Sequence, residues 1–141
     1  MNLKEIHIGK LITEIVDENK IEMLRICNFF DVSEDDIENM FNSHDLRTDI
    51  LLKWSKLLKY DFFRLYSQHL MLYAPPLKRN AKNEDDGKAK IPHFRKNIYT
   101  KEIIDFMLEM LENKEKTKEQ IIKDYNIPKT TLYKWIEKNE K

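Results

Sequence analysis

Glycine occurs twice and proline four times in 141 residues. An all-β chain needs turn residues every few positions, so this scarcity disfavours that class. A single cysteine, Cys27, rules out an internal disulfide. No apolar run approaches the roughly 20 residues that span a bilayer. The opening stretch, MNLKEIHIGKLITEIVDENK, carries acids inside its apolar pattern and does not read as a secretion signal. A cytoplasmic location is therefore expected. His7, His44, His69 and His93 lie far apart without metal-ligand spacing. There is no phosphate-binding loop and no Gly-rich nucleotide fingerprint. Glu84, Asp85 and Asp86 fall in a polar stretch where nothing would raise a carboxyl pKa for acid–base work. No catalytic residue, metal site, cofactor or small-molecule substrate is expected, and the chain is not expected to be an enzyme.

Leu, Ile, Glu and Lys dominate what remains, and these favour helix or fill helical cores. The expected class is all-α. Acids and bases balance at 25 each, but unevenly along the chain. Met1 to Ala74 has a net charge of about −4, Pro75 to Tyr99 about +4, and Thr100 to Lys141 about zero. A basic stretch between two less basic regions fits a nucleic-acid partner, and equally a solvated linker. Pro75 to Asn97 holds three of the four prolines and one of the two glycines. It reads as a linker with a mobile middle, Asn80 to Lys90, between a domain at 1–74 and another at 98–141.

Apolar spacing predicts five helices before the linker. They run from Leu3 to Asp17, Lys20 to Phe30, Glu34 to Phe41 behind a Ser33 cap, Asp45 or Thr48 to Lys59, and Phe62 to Tyr73. Within the second, Ile21, Leu24, Ile26, Cys27 and Phe30 are expected inward. Three helices follow the linker: Thr100 to Glu112, Lys118 to Asp124 behind a Thr117–Gln120 capping box, and one opened by Pro128. No internal repeat is evident beyond both regions being helical.

The segment KTKEQIIKDYNIPKTTLYKWIEKNEK carries a resemblance. Its apolar pair Ile121-Ile122, a turn ending at Ile127 and the run PKTTLYKW resemble the helix-turn-helix of transposase accessory proteins and homeodomain-like regulators. The resemblance implies double-stranded DNA as partner, with the last helix in the major groove. The residues agree. Leu132, Trp135 and Ile136 form one apolar edge at i, i+3, i+4. Lys129, Thr130, Tyr133 and Lys134 offer donors on the other edge, and no acid appears until Glu137. Thr131 and Lys138 are candidate phosphate contacts. Arg95 and Lys96, beside His93 and Phe94, form a basic patch that suits a minor-groove arm, and equally an ordinary solvated linker whose Ile91 and Phe94 pack on the C-terminal bundle. A small bundle that binds protein is the other reading.

IEMLRICNFFDVSEDDIENMFNSHDLRTDILLKWSKLLKYDFFRLY, with Cys27, Val32-Ser33 and LLKWSKLLKYDFF at matching places, is similar to Cro/repressor-like domains. That similarity implies a second helix-turn-helix. Its presented helix would carry Glu34, Asp35, Asp36 and Glu38, which DNA phosphates repel. Association suits this region better. Tyr60, Phe62, Phe63, Leu65, Tyr66, Leu70, Met71, Leu72 and Tyr73 crowd apolar surface into a short stretch. They fill either a monomer core or a homodimer interface. The expected protein is a sequence-specific DNA-binding component, a regulator or a transposition partner; a protein-interaction adaptor is the competing class.

Overall fold

The computed structural model describes residues 2–75, 91–92 and 98–141. Among them the chain is all-α: eight helices and no strand. The helices are α1 (Ile8–Glu18), α2 (Met23–Phe30), α3 (Glu34–Asn42), α4 (Thr48–Leu58), α5 (Phe63–Tyr73), α6 (Lys101–Glu112), α7 (Lys118–Tyr125) and α8 (Lys129–Glu140). Two compact units divide the chain, Met1–Ser67 and Gln68–Lys141. The division falls inside α5. The expected mobile stretch, Asn80 to Lys90, lies outside the described residues. None of the described helices is long and apolar enough to cross a membrane.

In the first unit α1 begins five residues later than the apolar spacing predicts. Leu3 and Ile6 are buried, but in a bent, non-helical lead-in. His7 takes the cap, its Nδ1 accepting from the Lys10 backbone N–H at 3.3 Å. The N–H groups of Ile8 and Gly9 would be orphans of the first turn. They donate instead to the carbonyls of His44 and Ser43, both at 3.1 Å. That pairing brings the start of α1 against the end of α3. Glycine permits the approach: a Cβ on Gly9 would stand 2.5 Å from the Met40 carbonyl oxygen and closer still to that of Phe41.

Helix α2 starts at Met23, since Lys20 takes a left-handed conformation that ends α1. Ile26 and Phe30, four apart, define its inward face. Leu24 sits two residues before Ile26, on the opposite side, and is 68 % exposed rather than inward. Lys59, also left-handed, closes α4, and Asp61 Oδ1 accepts from the Arg64 N–H to open α5. Trp54 is the centre of the core, its ring 4.6 Å from Phe30 and 5.8 Å from Phe41 between centroids.

The second unit is held at its entry by Gln68, a buried polar side chain that nothing in the sequence marks. It is 2 % exposed. Its Nε2 donates to the Ile98 carbonyl at 2.9 Å, and its Oε1 accepts from the Thr100 backbone N–H and hydroxyl at 3.4 and 3.2 Å. The amide thus fixes the three residues that lead into α6. Thr100 occupies the N-cap of α6, yet its hydroxyl serves Gln68 rather than the helix. Ile103, Met107, Ile121, Ile127 and Leu132 then close a core between α6, α7 and α8. Replacing Gln68 by leucine removes its hydrogen bonds to the Ile98 carbonyl and to Thr100, each worth about 0.5–1.5 kcal/mol. Amide exchange at Thr100 and through the first turn of α6 should accelerate, with α1 to α4 unchanged.

Candidate nucleic-acid interface

Helix α7 is opened by a complete capping box. The Gln120 N–H donates to Thr117 Oγ1 at 3.2 Å, and the Thr117 N–H donates to Gln120 Oε1 at 2.9 Å. It closes on Asn126, whose φ of 53° is left-handed. Asparagine tolerates that region better than most residues. The next residue, Ile127, turns fully into the core. Pro128 follows at the N-cap of α8, one position before the helix it was expected to begin. The reason for proline is unchanged: it brings no N–H to a helix end where none would be satisfied. Its carbonyl accepts from the N–H groups of Thr131 and Leu132 at 3.0 and 3.1 Å.

Contacts around this turn hold α8 in one orientation. Leu132 is buried, and Trp135 and Ile136 are half-buried beside it. Trp135 meets Tyr99 edge-on at 4.9 Å between centroids. Asn139 Nδ2 donates to Glu112 Oε1 at 3.2 Å, tying the end of α8 to α6. At the other end of the motif, Lys116 pairs with Asp124 at 2.5 Å and lies over the Tyr125 ring. The Tyr125 hydroxyl donates to Met110 Sδ at 3.8 Å. Hydrogen bonding to Asp124 holds the Lys116 ammonium above its ordinary pKa, and burial raises that of Tyr125. Both groups therefore keep one charge state at neutral pH, and the loop before α7 stays fastened to the end of α7.

The remaining side of α8 is exposed. Thr130, Lys134, Glu137 and Lys141 follow one another at i, i+4, i+7 and i+11, a single strip along the helix. Lys129 and Tyr133 run along one margin of it, and Thr131 and Lys138 along the other. Thr131 is half-buried and the rest are exposed. Six of the expected contact residues, Lys129, Thr130, Thr131, Tyr133, Lys134 and Lys138, thus border one surface. Its first two turns carry no acid. Glu137 interrupts the strip at the third, with Lys141 Nζ 3.9 Å from its carboxylate. Arg95 and Lys96, the expected minor-groove arm, lie outside the described residues, as do His93 and Phe94. Lys118 joins the surface from α7, its Nζ 5.2 Å from the Tyr133 ring centroid. Its position right after a capping threonine was legible in the sequence; its reach to Tyr133 was not.

Residues 95–139 match the helix-turn-helix domain of resolvase. The C-terminal part of the chain is therefore a DNA-binding helix-turn-helix domain. The match spans α6, α7 and α8 and less than half of the chain. No curated protein and no solved structure matches the chain.

The same local layout occurs in the first unit. Helix α2 has eight residues, as α7 does. Left-handed Asp31 follows it as Asn126 follows α7; Val32 stands where Ile127 does, and Ser33 holds the N-cap of α3 as Pro128 holds that of α8. Fully buried Ile26 and Ile37 correspond to fully buried Ile121 and Leu132. The preceding helices both end in Glu-Asn-Lys, at Glu18-Asn19-Lys20 and Glu112-Asn113-Lys114, with each lysine left-handed. What differs is the presented face. Glu34, Asp35, Asp36 and Glu38 are exposed on α3, and Asp36 also completes a capping box with Ser33. Among the described residues, no three His, Cys, Asp or Glu side chains stand close enough to share a metal ion.

Proposed function

We propose that this protein is a non-enzymatic, sequence-specific double-stranded DNA-binding protein that reads the major groove with α8. Its biological setting is transcriptional regulation or a transposition system in the cytoplasm. The observation that carries the reading is the exposed strip of α8. Thr130 and Lys134 occupy its first two turns, Lys129, Tyr133 and Lys138 border it, and no acid precedes Glu137. Recognition helices meet base edges with their N-terminal residues. Lysine donates to guanine edges, and threonine reaches a phosphate or a thymine methyl.

The first unit, which resembles Cro/repressor-like domains, serves association in this proposal. Its presented helix is acidic and unsuited to phosphates. Within that unit Tyr60 stays exposed, as do Leu24, Phe29 and Leu52 on α2 and α4; Leu70 and Tyr73 are exposed too, but belong to the second unit. A homodimer would give two weak modules the avidity that one lacks.

Equilibrium binding of the full chain to a mixed-sequence duplex across a salt series tests this. Affinity should fall steeply as salt rises. Lys134→Ala should weaken binding by about 5- to 150-fold, the worth of a base contact of about 1–3 kcal/mol. Lys129→Ala should weaken it less, and both variants should melt like the parent. A chain that ignores duplex DNA even at low salt is instead a protein-interaction adaptor.

A further inference from the structure

Lys118 opens α7 and Lys129 opens α8, each as its first residue. The helix dipole places partial positive charge at that end, so a cation there is unfavourable. Both helices break the preference at the same position. The two side chains also converge. Their Nζ atoms lie 5.2 and 5.5 Å from the centroid of the Tyr133 ring, one reaching it from each helix. Both ammonium groups thus rest against the one ring, whose negative face holds each in place.

Among the described residues, no carboxylate neutralises either group. The nearby ion pairs engage other lysines, Lys116 with Asp124 and Lys141 with Glu137. Glu119 is the one acid in the first turn of either helix, a neighbour of Lys118 in sequence and so turned about a quarter of the way round α7 from it. Tyr133 remains 41 % exposed, so the corner is open to solvent. Folding alone gives no reason for two unpaired lysines over one exposed ring at two helix N-termini. An anion does: it relieves the dipole mismatch and the missing pairing at once.

We propose that Lys118, Lys129 and Tyr133 form a preset clamp for one phosphodiester of duplex DNA. The inference rests on the DNA-binding reading above and adds the backbone contact that sets how α8 enters the groove. The corner borders the Thr130–Lys134 strip on the side toward α7. A helix lying in the major groove has a sugar–phosphate strand along each margin, so a phosphate meets the corner when Thr130 and Lys134 face the bases. Lys118 fixes register and carries no sequence preference of its own.

The test uses the full chain, a mixed-sequence duplex and a salt series, with thermal melting of each variant in the absence of DNA. Each phosphate contact contributes about 0.9 to the slope of log affinity against log salt. Because both lysines hold one phosphate, Lys118→Ala and Lys129→Ala combined should make that slope shallower by about 0.9, and each alone by less. Both should melt at or above the parent temperature, because the removed charge was unfavourable in the free protein. Tyr133→Phe keeps the ring and should keep the slope; Tyr133→Ser should lower affinity at low salt. If the parent binds with steep salt dependence and the two lysine variants keep its slope, the clamp is wrong while the DNA-binding reading stands. A lower melting temperature in both lysine variants also overturns it, since the lysines would then be structural. If the parent shows no duplex binding at low salt, the DNA-binding reading fails and the clamp fails with it.

Discussion

Gly9→Ala should unfold the first unit at the temperature where the parent is fully folded. The added methyl would stand 2.5 Å from the Met40 carbonyl oxygen and nearer that of Phe41. Both are backbone atoms at the end of α3, so no side chain can swing away. Overpacking a well-filled site costs about 1–3 kcal/mol, and a backbone obstacle belongs at the top of that range. Relief requires α1 to back away from α3. That move breaks the bonds from the Ile8 and Gly9 N–H groups to His44 and Ser43, each worth about 1 kcal/mol. A unit of this size has on the order of 5 kcal/mol in hand. Amide exchange read residue by residue in the full chain checks the outcome. Protection should vanish across α1 to α4 and persist in α6 to α8. A variant with parental protection in α1 would show that the close approach is dispensable.

Leu132→Ala should abolish duplex binding through the fold rather than through contact chemistry. Leu132 is fully buried and is the one α8 residue that is. Trp135 and Ile136 beside it are only half-buried, so little else anchors the helix. Truncating a buried leucine costs about 2–5 kcal/mol, most of what a unit of this size holds. The expected signature is a lower melting temperature together with lost binding. Lys134→Ala should lose affinity at a parental melting temperature. Measuring both quantities for both variants separates the roles. Parental melting in Leu132→Ala would mean that α8 is held by contacts other than this core position.

Much of the helical layout was legible because its signals are local. Caps announced themselves: Ser33, the Thr117–Gln120 box and Pro128 mark helix starts by the type of atom they offer or lack. Apolar spacing located Ile26, Phe30 and Leu132, all buried. The errors share a different cause. The early start given to α1 and the inward Leu24 follow from counting hydrophobic residues without knowing which neighbour arrives. His7 took the cap because the end of α3 supplies carbonyls to the next two N–H groups, a contact more than thirty residues away. Gln68 was invisible for the same reason, since its partners lie at Ile98 and Thr100.

The candidate site shows the same division. Spacing along one helix identified the strip of α8 and its freedom from acids up to Glu137. The Lys118–Tyr133 contact crosses between helices, and only the turn at Asn126 brings it about. Two helix-turn-helix-like regions were legible in the sequence, but the position-by-position match of α2–α3 with α7–α8 was not. It resides in helix lengths, one left-handed residue and two buried positions, and hardly in shared residue types. That repeat gives the acidic face of α3 its meaning: two like turns present opposite charge, and only the second suits DNA.

Selection of bound sequences from a random duplex pool by the full chain, repeated with Lys134→Ala, measures most directly whether α8 reads bases. The parent should enrich a short motif, present as an inverted repeat whose halves lie about one helical turn, roughly 34–36 Å, apart if the protein pairs symmetrically. Lys134→Ala should enrich the same motif with preference relaxed at one position. A pool with no enrichment over background, or one enriched identically by parent and variant, would contradict base reading by α8.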